Sequence, residues 1–160
     1  MDVQDAIQSQ YQAALEMLQQ AVVRCPESMW DDRSYKNVFW LVVYHALFYL
    51  HLYLYAGLGQ YKPWPKHKTD RQRMKLDGGE AYSKADLLEY VEIVRGQVVA
   101  QVAALDLAAP SGFEWLPFTR LETHLYSLRH MQQHIGELCE RLGEESGVDV
   151  DWVGRGQVAL

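Results

Sequence analysis

His130 and His134 stand four positions apart in a segment with helical periodicity. At about 100° per residue they lie within about 40° of each other, one turn apart on one face. Two imidazoles so placed can hold one metal ion. Met131, Ile135, Leu138 and Leu142 flank their line, which puts the pair at the edge of an apolar core. The next position on the line is Leu138, which cannot ligate, so a third donor has to come from another helix. His45 is the best candidate, because it shares its helix face with Val38, Leu41, Tyr49 and Leu52. Three neutral imidazoles with open coordination positions suit Zn²⁺, Ni²⁺ or Fe²⁺, and three protein ligands plus a water is the catalytic pattern. The same spacing is common on helices that bind nothing, and a core histidine is ordinarily just hydrogen-bonded.

The zinc-protease pattern is excluded, since Met131 stands where that motif requires a glutamate base. Glu137 falls about 20° from the His130 line and nearly two turns beyond it. There it can orient a ligand or take a proton, or it can be a solvated helix glutamate. His124 faces the apolar side and reads as core. His51 lies with Tyr44 and Tyr55 on another side of its helix, outside a metal shell. His67 sits in a long loop, exposed or facing a substrate.

The elements that must position these residues are helices. Val3, Ile7, Tyr11, Ala14, Leu15, Leu18 and Val22 give a first amphipathic helix, ended by Cys25-Pro26. A second runs from Tyr35 to Tyr55 and stops near Gly57. Ser83 with Asp86, and Thr119 with Glu122, are capping-box-like starts for a third helix towards Pro110 and a fourth from Arg120 to Leu142. Gly143 suits the left-handed position after that last helix. No stretch alternates with a two-residue period. The expectation is an all-α single domain over 1–160, a four-helix bundle with a long crossover connection between helices two and three. Residues 57–82 form the long basic loop and 144–160 a C-terminal segment.

Composition narrows the partners. A net charge of −6 argues against nucleic acid. Two cysteines, Cys25 and Cys139, are too few for a disulfide framework, and the N-terminus has no export signal, so a cytoplasmic protein is expected. Val38–Leu58 is nearly continuously apolar, yet it holds His45, His51 and four tyrosines, which favours a buried helix over a membrane span. The loop cations Lys62, Lys66, Lys68, Arg71, Arg73 and Lys75, set against Asp70, can hold an anionic substrate or simply be solvated. Trp64 between two prolines covers a pocket or pins the loop. Trp40, Leu47, Leu54 and Tyr55 extend the apolar surface of the second helix beyond one stripe, enough to pair two subunits or to lie beneath the loop.

The segments Asn37-Val-Phe-Trp-Leu-Val-Val-Tyr-His45-Ala-Leu-Phe-Tyr-Leu and Leu128-Arg-His130-Met-Gln-Gln-His134-Ile-Gly-Glu-Leu138, followed by Trp152-Val153-Gly154, resemble the signature helices of the DinB-like superfamily, relatives of the YfiT-like metal-dependent hydrolases. The resemblance implies a four-helix bundle, often dimeric, with a divalent metal held by His45, His130 and His134. Relatives often carry a further histidine where this chain has Gln133. It also implies a small-molecule substrate, with transfer to or from a low-molecular-weight thiol, or hydrolysis. The alternative is a non-catalytic metal-binding or dimerising helical protein. An open coordination position would mark the first and a closed site the second.

Overall fold

The computed structural model describes residues 2–157. Among them are five helices and no strand: α1 (Val3–Arg24), α2 (Glu27–Trp30), α3 (Phe39–Tyr53), α4 (Lys84–Val102) and α5 (Arg120–Ser146), with one 3-10 turn at Arg71–Arg73. Asp2 caps α1, its side chain accepting from the Asp5 N–H while Asp5 accepts from the Asp2 N–H. Cys25-Pro26 ends it as expected. Ser83 and Asp86 form the same reciprocal box at the start of α4, and Thr119 caps α5 through the Glu122 N–H.

The third long helix, read as running towards Pro110, ends at Val102, and two other helix boundaries differ from expectation with a visible cause. The second long helix starts at Phe39, four residues after Tyr35, because the Asp32 carboxylate captures the Ser34 N–H and Asp31 accepts from the Trp40 indole. These side-chain bonds replace a first helical turn. The last helix runs past Gly143 to Ser146, and Gly147, at φ 64°, is the left-handed residue that closes it. Its N–H bonds the Gly143 carbonyl and that of Val148 bonds Leu142. α2, a single turn, was not anticipated. The C-terminal segment passes along α1, where Gly156 exchanges hydrogen bonds with Ser9. Residues 158–160 lie outside the described residues.

α1 packs on α4 and α5, and α3 packs on α4 and α5, whereas α1 and α3 barely meet. Contacts at both ends give the directions. Arg141 of α5 reaches Asn37 while Tyr126 meets Tyr53, so α5 is antiparallel to α3. Tyr82 meets Trp40 and Tyr90 meets His51, so α4 is parallel to α3. The chain between α3 and α4 must therefore travel back along the length of α3.

That return path is pinned by aromatic rings. Trp64 is buried and stacks on Tyr90 with centroids 4.5 Å apart and planes 4° apart, beside Tyr44 and Tyr82. The tryptophan thus pins the loop. Arg71 is fully buried between the rings of Trp40 and Tyr82, its guanidinium bonded to both carboxylate oxygens of Asp77 and to the Glu80 carbonyl. The loop cations do not form one patch, since Lys66 pairs with Asp86 and Glu89 and Arg73 with Asp70.

With the loop in place α3 has no solvent face. Every residue from Phe39 to Tyr53 is buried except His45 and Tyr49. Trp40, Leu47, Leu54 and Tyr55, which the sequence left free either to pair two subunits or to lie beneath the loop, are buried in the chain's own core. No helix of the described residues is long and apolar enough to cross a membrane. At the far end of α3 the α4–α5 connection crosses over Ala56. Gly112, at φ 84°, lies so close that a Cβ there would stand 1.8 Å from the Ala56 carbonyl oxygen.

Arg71→Met should lower stability by about 2–3 kcal/mol in denaturant titration. This is less than a fully buried pair would lose, because Asp77 keeps some water. A second expectation concerns acid. Burial pushes His51 and His124 down from 6.5 to about 4, so they stay neutral in the fold while the unfolded chain takes up protons. In chelated protein the unfolding midpoint should be level above pH 6.5 and fall as pH drops from 6.5 to 4. A midpoint unchanged across that window would contradict their neutral burial.

Candidate metal centre

The antiparallel packing of α3 on α5 brings His45 onto the His130–His134 face. The Nε2 atoms of His45 and His130 are 2.9 Å apart and those of His134 and His130 3.2 Å. These three residues form a group able to hold a metal ion. Nitrogens about 2.0–2.1 Å from one ion, at angles of about 90–109°, stand about 2.9–3.4 Å from each other, which matches this spacing.

The tautomers sharpen the point. His45 Nδ1 lies 2.6 Å from the Gln72 carbonyl oxygen, which can only accept, so Nδ1 carries the hydrogen and Nε2 keeps its lone pair. His134 Nδ1 lies 3.2 Å from Glu137 Oε2, again an acceptor, so in the neutral ring the hydrogen sits on Nδ1 and Nε2 keeps its lone pair. Two lone pairs therefore face the single Nε2 of His130. One proton there cannot satisfy both fully, whereas a cation accepts from all three. Burial pushes His45 and His130 down to about 4, which keeps both neutral at ordinary pH, the form in which imidazole ligates.

Each orienting group is itself held. Glu137 receives the Arg141 guanidinium on its other oxygen, and Arg141 also donates to the Asn37 carbonyl and lies over the Tyr35 ring at 4.3 Å. Of the two roles open to Glu137 in the sequence, its geometry fits the orienting one. Gln72 sits in the 3-10 turn that the buried Arg71 anchors. Neither Gln72 nor Arg71 was legible as part of a site, since the first acts through a backbone carbonyl and the second read as one loop cation among six.

The other histidines lie elsewhere. His124 is buried, its Nδ1 2.8 Å from the Tyr11 hydroxyl, as expected of a core residue. His51 is buried against Tyr90. His67 is neither exposed nor near the cluster. It is half-buried, stacks on Phe48 and hydrogen-bonds the Tyr44 hydroxyl.

One side of the cluster opens into a cavity of about 330 Å³ lined by His45, Tyr49, Tyr53, Trp115, Tyr126 and His130. The two residues that interrupt the burial of α3 both face it. Sequence reasoning placed Tyr49 on the His45 face but did not single out Trp115, Tyr53 or Tyr126. Trp115 comes from the α4–α5 connection, which no periodicity places.

A family model described as the DinB superfamily matches residues 10–138, a span that includes all three clustered histidines. No curated protein and no solved structure matches the chain. With four fifths of its length inside that match, and both histidine-bearing helices within it, this chain belongs to the DinB superfamily.

Proposed function

We propose that the protein is a divalent-metal-dependent enzyme built on a four-helix bundle with a long crossover, with His45, His130 and His134 as the ligands. The observation that carries this reading is the convergence of three Nε2 atoms, two with lone pairs held inward by acceptors behind them. Zinc, nickel or iron suits the all-nitrogen donor set. When bound, such an ion lowers the pKa of a water or thiol in its remaining position towards neutrality. The chain's own part is to hold the imidazoles in one tautomer through Gln72 and Glu137, and to keep an aromatic-walled opening beside them.

The opening favours an enzyme over a purely structural site, since a structural ion is enclosed by protein ligands. The reaction class proposed is thiol-dependent S-transfer or hydrolysis of a small molecule, in a reducing cytoplasm consistent with two unpaired cysteines. The homodimer implied by the family resemblance has to form through a surface other than α3, which is enclosed within the chain. Nucleic acid is not a proposed partner.

Elemental analysis of untagged protein should find about one metal per chain, lost in His130→Ala/His134→Ala while helicity by circular dichroism persists. A metal-free wild type after dialysis against Zn²⁺, Ni²⁺ and Fe²⁺ would remove the enzyme reading. Glu137→Gln should weaken metal affinity about 10–100-fold with little change in fold, measured by competition with a chelator. An unchanged affinity would reduce Glu137 to a surface ion pair with Arg141.

A further inference from the structure

The cavity beside the histidines has walls of one kind. Tyr49 meets Tyr53 at 5.8 Å, Tyr53 meets Tyr126 at 6.0 Å, and Tyr49 meets His130 at 5.5 Å between ring centroids. Tyr126 lies nearly parallel to His130, their planes 11° apart. Trp115 closes the remaining side, its indole N–H 3.4 Å from the Tyr53 hydroxyl and its ring packed on Phe113. These separations lie in the range of favourable ring pairs, so the walls are preorganised by one another. Trp115 is nevertheless half exposed, so one of its faces is free to contact a ligand.

The two arginines near the cavity differ, since Arg73 is already paired with Asp70. None of the lining residues is acidic. The Arg73 guanidinium acts on the Tyr49 hydroxyl, opposing the rise that burial imposes. On the α5 side a second hollow shares Tyr126 and His130 and is lined further by Arg129, Gln132 and Gln133. Arg129 is exposed and has no ion-pair partner among the described residues. Glu137 lies behind His134 and is tied to Arg141, and Glu114 lines a separate groove on the other side of Trp115. A quaternary ammonium, the usual guest of an aromatic cage, would find no carboxylate on the walls and the Arg129 guanidinium in the adjoining hollow.

We propose that this cavity binds a flat aromatic group of one or two rings bearing an anionic substituent, such as an aryl carboxylate. The ring stacks among Tyr49, Tyr126 and Trp115, and the anion points towards the adjoining hollow that Arg129 lines. A volume of about 330 Å³ admits such a group. The placement of that ring next to the reacting position rests on the proposed metal centre, whereas its recognition by the aromatic walls does not.

The test is calorimetric titration of the full chain, zinc-loaded and with its metal content measured, against benzoate, 2-naphthoate, cyclohexanecarboxylate and benzyltrimethylammonium. The two aryl carboxylates should bind at least tenfold more tightly than cyclohexanecarboxylate, and the ammonium should not bind. Trp115→Ala should lose at least tenfold in naphthoate affinity and Trp115→Phe should recover most of it. Arg129→Gln should lose severalfold for naphthoate and nothing for 2-naphthol. Since any carboxylate can ligate zinc, the same series is run on the chelated, metal-free protein, where His130 still lines the cavity and the preference for a ring over cyclohexane should persist. Equal binding of ring and cyclohexane, a Trp115→Ala variant with unchanged affinity, or preferential binding of the ammonium would overturn the proposal. Metal without ring preference defeats this inference alone; ring preference without metal supports it and defeats the metal reading alone.

Discussion

An α-helix covered along almost its whole surface has little place for an unpaired polar side chain, and α3 is such a helix, open only where His45 and Tyr49 face the cavity. Its two histidines must each find a partner in the protein. His51 finds Tyr90. His45 finds a backbone carbonyl on one nitrogen and, on the other, only further imidazoles. Burial keeps the ring neutral, the carbonyl sets its tautomer, and the antiparallel α5 supplies two more rings at ligand spacing. The geometry of the cluster is thus a by-product of how completely α3 is covered. The covering is the work of the return loop as much as of the neighbouring helices.

The division of labour between loops and helices explains what could be read in advance. His130 and His134 were visible because a helix converts a spacing of four into a shared face. His45 was visible because its face also carries Leu41, Tyr49 and Leu52. The helix count followed from caps and periodicity, with errors at the ends, where the Asp32 side chain overrides the period before α3 and the left-handed backbone of Gly147 closes α5 later than Gly143. Trp40, Leu47, Leu54 and Tyr55 were ambiguous because periodicity reports only that a face is apolar, and what covers it depends on where a long loop lies. Trp64 and Arg71 settle that question through ring stacking and a buried ion pair, contacts between residues far apart in the chain.

Glu137 illustrates an intermediate case. Its position near the His130 line was plain, but a glutamate on a helix is usually solvated. Only the approach of Arg141, fixed in turn by the Asn37 carbonyl and the Tyr35 ring just before α3, turns the carboxylate towards His134. The orientation of one ligand is therefore coupled to the same α3–α5 contact that creates the cluster. The aromatic walls of the cavity were harder still, because Tyr53, Tyr126 and Trp115 come from two helices and a connection whose path depends on Gly112 passing over Ala56.

The hydrogen bond from His45 to the Gln72 main chain has an evolutionary corollary. Every amino acid offers the same carbonyl oxygen, so the identity of residue 72 is free to drift without disturbing the imidazole it steers. The spacing is a different matter. The oxygen is delivered by a turn whose position is set by Arg71 and its carboxylate partner Asp77, and one residue gained or lost between them would carry the oxygen away from the ring. In descendants of this sequence the loop can therefore be rewritten letter by letter, while its length there is under the same selection as the histidines themselves.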